Sequence, residues 1–212
     1  MATSTKPLRA DAERNRRRIL DAASELFAAK GLSVGLDEIA HHAGVGVATA
    51  YRRFPDKDVL IDALFQERAD ALVAAAGKGL AEADDWQCLV TFMTEAVALH
   101  AGDQALKQLV FQGTGGEVRV KQIRGRMAPL ANQILARAHA SGRLRPEVAA
   151  TDLIMAQFMV ASLGDVGSPA GFELWRRALD LVLDGLQVQT RKLTGRALTE
   201  KEFARAVAQR RR

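Results

Sequence analysis

Residues 36–54 of the chain are LDEIAHHAGVGVATAYRRF, and this stretch has the pattern of two short helices joined by a tight turn. Gly44 can take the left-handed conformation that ends a helix, and Val45 can fill the angle between the two helices. The apolar residues of the first helix recur at helical spacing and give it one buried stripe, made of Leu36, Ile39, Ala40 and Ala43. The stretch therefore predicts a helix-turn-helix.

The second helix, at about residues 47–54, buries Ala50 and Phe54 and has the size of a helix that enters a DNA major groove. Its outward residues combine two guanidinium groups, a phenol and a hydroxyl, which suit phosphate oxygens and base edges. A helical hairpin with a solvated basic face is the alternative interpretation. The predicted DNA-contacting residues of this helix are Thr49, Tyr51, Arg52 and Arg53.

The residues around this stretch resemble the TetR family of bacterial transcriptional regulators. The matching segments are RILDAA at 18–23, ELFAAKG at 25–31, LDEIA at 36–40, AGV at 43–45 and TAYRRF at 49–54, followed by Lys57 and Leu60. The resemblance covers about residues 14–65 and implies a dimer that binds operator DNA and senses a small molecule. Gly35 and Gly46 depart from it, because the family often has Thr or Ser at the first position and Ser at the second.

Two further groups of basic residues flank the motif. Arg16 and Arg17 lie at the start of a helix that reaches Lys30, where they either contact phosphate or form a solvated helix start. Asp56 is a good N-cap for a helix starting near Lys57, and Lys57 at that helix start is a plausible phosphate clamp.

Composition places the chain among ordinary soluble globular proteins. It has 212 residues, of which 48% are hydrophobic and 26% charged. The longest uncharged apolar run, at 153–164, is too short to span a membrane, and the polar N-terminus is unlike a secretory signal. A single cysteine, Cys88, fits a reducing compartment. We therefore expect a cytoplasmic protein without a membrane partner.

The net charge of +5 is unevenly distributed along the chain. Residues 1–60 carry 10 Lys and Arg against 8 Asp and Glu, and residues 190–212 carry 8 against 2. The remaining residues, 61–189, carry 12 against 15. The basic pI is thus set largely by the C-terminal tail, and the case for DNA binding rests on the local cluster around the helix-turn-helix.

The rest of the chain shows helical periodicity and no sustained period-two alternation, which predicts an all-α fold. The last two predicted helices, at about 146–163 and 169–189, are apolar on nearly every side. Such helices must be buried on more than one side, so we predict a four-helix interface between two copies. A wholly internal helix pair is the alternative. The predicted organisation is a flexible basic arm at 1–13, a three-helix DNA-binding domain at 14–55, a helical ligand-binding and dimerisation domain at 56–189, and a basic tail at 190–212.

The soft and aromatic side chains of the central helices could line an apolar pocket for a small-molecule effector. Ordinary core packing is the alternative for each of them, and the family resemblance does not choose among them. The candidate ligand-binding residues are Phe92, His100, Gln108, Phe111, Met127, Met155, Phe158 and Met159.

No sequence motif points to catalysis, a metal or a cofactor. His41 and His42 are adjacent, so a helix turns them in different directions, and His100 and His139 are isolated. The resemblance to the TetR family instead implies a ligand-responsive repressor that binds a palindromic operator as a dimer. A constitutive DNA binder or structural helical dimer, and an all-helical enzyme, remain the alternatives.

Overall fold

The computed structural model describes residues 5–101, 116–165, 174–188 and 192–209, and these ranges are predominantly helical. Short 3-10 helices occupy Gly31–Ser33 and Ser162–Asp165, and extended pairing in these ranges is limited to one isolated bridge between Leu144 and Gln187. The prediction of an all-α fold is confirmed. The α-helices are α1 (Thr5–Lys30), α2 (Leu36–His42), α3 (Val47–Arg53), α4 (Lys57–Ala81), α5 (Asp85–Ala101), α6 (Gly116–Ala140), α7 (Ala150–Ala161), α8 (Leu174–Leu186) and α9 (Glu200–Gln209).

The described residues form two compact units. The first contains residues 5–68 and 116–120, and the second contains residues 69–101 and the described residues from 121 onward. The division falls inside α4 rather than at the predicted boundary of residue 55. The reason is that the first turns of α4 are tied to the N-terminal helices: Arg68 donates to the Ser24 hydroxyl at 3.1 Å, and Lys57 donates to the Leu32 carbonyl at 2.7 Å.

In the first unit, α2 and α3 pack through small side chains. Ala40 and Ala50 are both fully buried, and their size lets the two helix axes approach closely. Gly44, with φ of 61°, ends α2 in the left-handed conformation, and Val45 after it is buried. Helix α1 likewise ends where Gly31 takes φ of 73°. The predicted helix-turn-helix is therefore present in the fold.

Helix α1 braces this motif through polar contacts along its length. The Arg18 guanidinium donates to the Gly44 carbonyl at 3.1 Å, which fixes the turn. Further along, the Glu25 carboxylate lies 2.7 Å from the His42 ring, and the Lys30 ammonium lies 2.5 Å from the Glu38 carboxylate. These pairs are exposed, so each adds little stability by itself. Together they fix the orientation of α2 on α1.

Two predicted boundaries differ from the structure. Helix α1 begins at Thr5, so most of the predicted flexible arm at 1–13 is helical; Pro7 fits the first turn, where its missing N–H costs nothing. Helix α7 begins at Ala150 and not at Pro146, because the Asp152 carboxylate accepts the Ala149 N–H at 2.8 Å and so sets the helix start.

In the second unit, aromatic and aliphatic side chains form one core. Trp86 and Trp175 are both buried in it, and Arg137 closes its polar edge by donating to the Leu80 and Glu82 carbonyls at 3.0 and 2.7 Å. These bonds satisfy carbonyls at the end of α4 that lack a partner within the helix. The largest fully buried members of the core are Leu89, Met93, Ile134, Val97, Val160 and Cys88.

The predicted cap at Asp56 is present, and Asp84 caps a second helix start. The Asp56 carboxylate accepts the Val59 N–H at 2.8 Å at the start of α4, and the Asp84 carboxylate accepts the Gln87 N–H at 2.7 Å at the start of α5. None of the described helices has the length and apolar character needed to cross a membrane.

The Gly44 turn provides a test of this fold. A Cβ at position 44 would lie 2.6 Å from the Arg18 Nη2 atom and would sit on a left-handed backbone. We expect Gly44→Ala to lower the free energy of unfolding by about 1–2 kcal/mol, measured by urea denaturation. Gly125→Ala, on the exposed face of α6 with nothing within 4 Å of the added Cβ, is the control. It should leave stability unchanged or raise it. Equal losses in both variants would contradict a special role for the turn.

Candidate nucleic-acid interface

Helix α3 presents one polar face away from the core of the first unit. Ala50 and Phe54 are buried, whereas Tyr51 is 45% exposed and Arg52 and Arg53 are exposed. Thr49 lies at the edge of the same face. The structure therefore brings together the four residues that the sequence predicted on this helix, with no large apolar side chain between them.

Two contacts hold the polar face in place. The Tyr51 hydroxyl donates to the Asp37 carboxylate on α2, and this hydrogen bond together with the negative charge raises the pKa of Tyr51. The Arg52 Nη2 atom lies 3.0 Å from the Thr49 hydroxyl, one turn earlier on α3. Both contacts limit the rotamers of side chains that would meet DNA, which reduces the entropy lost on binding.

The start of α1 lies beside α3 and forms an open cleft with it. The cleft is lined by Asp11, Ala12 and Asn15 from α1, and by Thr49, Arg52 and Arg53 from α3. Sequence reasoning did not single out Asn15, because it considered only the arginines at the start of this helix. The helical spacing of residues 11, 12 and 15 would have indicated this face once the helix was known to begin at Thr5. An Asn amide can both donate to phosphate and bond a base edge.

The basic residues predicted outside α3 have protein partners. Arg16 Nη1 lies 3.1 Å from the Glu67 carboxylate on α4, and Arg17 lies 3.0 Å from Asp21 and 3.6 Å from Glu67. Lys57 already donates to the Leu32 carbonyl. Contact of Arg16, Arg17 and Lys57 with phosphate stays a prediction. Each of these side chains would have to bind phosphate in addition to its protein partner, or in place of it.

Gly35 and Gly46 occupy the N-cap positions of α2 and α3. Neither helix start has a side-chain capping bond, and both glycines have extended backbone that other residues adopt without strain. At position 46 a Cβ would lie 3.8 Å from the Thr49 hydroxyl, and at position 35 nothing lies within 4 Å. A serine would therefore fit at either helix start.

The candidate ligand-binding residues fall into three groups. Phe92 and Met127 are buried in the core of the second unit. His100 stacks on Phe158 with ring centroids 5.7 Å apart, although Phe158 is still 41% exposed. Two others on α7 face outward, Met155 at 39% and Met159 at 60% exposure. Gln108 and Phe111 lie outside the described residues.

A further polar group lies close to these core residues. The Gln157 side chain is buried on α7, and its amide nitrogen lies 3.4 Å from the Met93 sulfur. Among the described residues, no group of three or more His, Cys, Asp or Glu side chains is placed to hold a metal ion.

Comparison with known proteins agrees with this geometry. Residues 19–64 match the family described as bacterial regulatory proteins, tetR family, and residues 84–188 match the C-terminal domain of SbtR-like transcriptional regulators. A TetR regulator of known crystal structure from Mycobacterium vanbaalenii is 34% identical. The similarity covers 86% of this chain and all of that protein, with a TM-score of 0.60.

The chain belongs to the TetR family of bacterial transcriptional regulators. The HTH-type transcriptional regulator SrpR of Pseudomonas putida is 33% identical over 140 residues, which cover 64% of this chain and 66% of SrpR. The fold is also similar to that of LfrR from Mycobacterium smegmatis, crystallised in complex with proflavine, with 21% identity and a TM-score of 0.61. That similarity covers 82% of this chain and 94% of LfrR. These relatives are transcriptional regulators rather than enzymes.

The uncapped start of α3 leads to a prediction about stability. Gly46→Ser adds a hydroxyl that can accept the Ala48 N–H, whereas Gly46→Ala adds the same Cβ without an acceptor. We expect the serine variant to be more stable than the alanine variant by about 1 kcal/mol in urea denaturation. Equal stabilities of the two variants would show that a serine side chain at position 46 forms no stabilising capping hydrogen bond.

Proposed function

We propose that this TetR regulator is a ligand-responsive repressor that binds a palindromic operator as a homodimer. The observation that carries the proposal is the polar face of α3, where Tyr51, Arg52 and Arg53 are exposed beside the half-buried Thr49 on a helix fixed by α1 and α2. Such a regulator acts on chromosomal DNA, which places it in the cytoplasm.

In this proposal, α3 is the recognition helix and enters the major groove. Arg52 and Arg53 suit bidentate contact with guanine, while Thr49 and Tyr51 suit phosphate oxygens or a thymine methyl group. The bond from Tyr51 to Asp37 supports this assignment, because it holds the phenol at the junction of α2 and α3. Arg16, Arg17 and Lys57 would add phosphate contacts that raise affinity without sequence preference.

The homodimer is supported by apolar side chains that one copy of the chain leaves uncovered. On α7 these are Met155, Phe158 and Met159. On α8 they are Leu174 and Leu181, seven residues apart and therefore on one side of the helix, and Val188 is exposed just after the helix. A Cβ at Gly185 would meet nothing within 4 Å, so a partner helix can approach closely there. Two copies pairing α7 and α8 would bury this surface and present two recognition helices to two half-sites.

The effector is proposed to bind in the second unit, among the soft and aromatic side chains around Phe92 and Met127. Gln157, buried beside Met93, offers an amide that can orient a ligand. The proflavine complex of LfrR supports a small-molecule site in this fold. A ligand would release DNA by binding more tightly to a state whose recognition helices no longer match the operator. A compound library that never alters the protein–operator complex would instead favour a constitutive DNA binder.

The assignment of α3 is tested by removing its arginines. Arg52→Ala or Arg53→Ala should weaken operator binding by about 1–3 kcal/mol if the side chain bonds a base, and should relax sequence preference at that position. A residue that contacts only phosphate would weaken operator and scrambled duplexes alike and flatten the salt dependence. Titrations of both duplexes at several salt concentrations distinguish these cases. Lys121→Ala, an exposed change on α6, is the control. Wild-type affinity in both variants would show that neither Arg52 nor Arg53 contributes to DNA binding.

The dimer is tested by placing a charge on its proposed face. Leu181, 62% exposed in one copy of the chain, becomes buried if α8 pairs across a two-fold axis. We expect Leu181→Glu to give a monomer in analytical ultracentrifugation and to lose most of its operator affinity, because burying an unpaired carboxylate is costly. Val118→Glu is the matched control, since Val118 is 61% exposed on α6. A dimer that persists in Leu181→Glu would place the interface elsewhere.

A further inference from the structure

The C-terminal tail after residue 188 lies beyond both matched family domains, yet much of it is built into the structure. The Thr151 hydroxyl at the start of α7 donates to the Leu198 carbonyl at 2.7 Å. The Leu193 N–H donates to the Glu147 carboxylate at 3.3 Å. The tail is therefore anchored at two points on the segment that leads into α7.

That segment is itself fixed to the end of α8. The Arg145 Nε atom donates to the Gly185 and Gln187 carbonyls at 2.8 and 3.1 Å, and Arg145 is buried. The Val188 N–H donates to the Arg143 carbonyl at 2.8 Å. The anchors of the tail thus belong to the rigid part of the second unit.

Helix α9 within the tail has a complete N-terminal cap. The Thr199 N–H donates to the Glu202 carboxylate at 2.8 Å, and the Glu202 N–H donates to the Thr199 hydroxyl at 3.3 Å, which is a capping box. Arg196 adds two bonds to the same carboxylate, at 2.8 and 2.6 Å. These bonds hold the pKa of Glu202 far below its ordinary value, so the carboxylate stays charged and engaged.

One of the two acidic side chains of the tail, Glu202, is therefore already paired with an arginine of the tail. Residues 190–212 hold eight basic and two acidic residues, and the pairing of Arg196 with Glu202 leaves seven basic residues and Glu200. Lys201 and Arg205 are exposed one turn apart on α9, and Lys192 is exposed before it. Three further arginines follow at 210–212. Lys201 and Arg205 therefore give α9 an exposed basic side, and the sequence that follows α9 adds further positive charge.

We propose that the tail binds the phosphate backbone of duplex DNA without sequence preference, as a second nucleic-acid contact separate from α3. Charge complementarity favours a polyanion, since no acidic residue follows Glu202 in the chain. A membrane surface fits less well: Phe203 is the large apolar side chain of α9, and it is already half-buried. Duplex DNA is the polyanion already present at high local concentration around a regulator of this family.

Salt-dependent binding to a duplex without operator sequence tests the proposal in the full-length chain. We expect the five-site variant Lys201→Gln, Arg205→Gln, Arg210→Gln, Arg211→Gln and Arg212→Gln to bind at least about tenfold more weakly at low salt. The slope of log affinity against log salt should become less negative by about two to four, since each released phosphate contact contributes about 0.9. The pair Lys201→Gln and Arg205→Gln should show part of this effect. The matched pair Lys121→Gln and Arg124→Gln on α6 should show none.

Two outcomes would overturn the proposal. One is an unchanged affinity and slope in the five-site variant. The other is loss of binding to phosphatidylglycerol vesicles with duplex binding retained, which would assign the tail to a membrane surface. The same titrations in an Arg52→Ala, Arg53→Ala background separate this proposal from the recognition role of α3. The effect of the tail should persist there after operator preference is lost.

Discussion

The packing of α2 against α3 through Ala40 and Ala50 is the constraint on which the interface depends. Both side chains are fully buried, so the helices can approach closely and α3 cannot rotate without exposing Ala50 and Phe54. This packing fixes which side of α3 is polar. It also requires a turn as tight as the one at Gly44, where the carbonyl is held by Arg18.

Polar contacts then fix the side chains that the packing leaves exposed. Asp37 in the first turn of α2 holds Tyr51, and Thr49 holds Arg52, so two of the four outward side chains on α3 have a preferred orientation before DNA arrives. Pre-ordering of this kind lowers the conformational entropy lost on binding. The glycines at the N-caps of α2 and α3 have the opposite effect, because they leave both helix starts without a side-chain cap.

The second unit has guanidinium groups at its polar edges, one half-buried and one buried. Arg137 closes the end of α4 and Arg145 closes the end of α8, each by donating to carbonyls that lack a partner within the helix. Arg145 also orders the segment to which the tail is attached. The outward apolar residues of α7 and α8 remain the large uncovered feature of the described residues in this unit, and the proposed homodimer would cover them.

The sequence by itself determined the all-α fold, the helix-turn-helix and the outward residues of α3, because periodicity, Gly44 and the caps at Asp56 and Asp84 are local signals. It did not indicate that α1 begins at Thr5, because residues 5–18 are mostly polar and give no apolar stripe that marks a helix. Only the tertiary structure decided which basic residues already have partners. Arg16 and Glu67 are 51 residues apart in sequence and meet at 3.1 Å, and such contacts arise from the packing of α1 on α4, which no local pattern encodes.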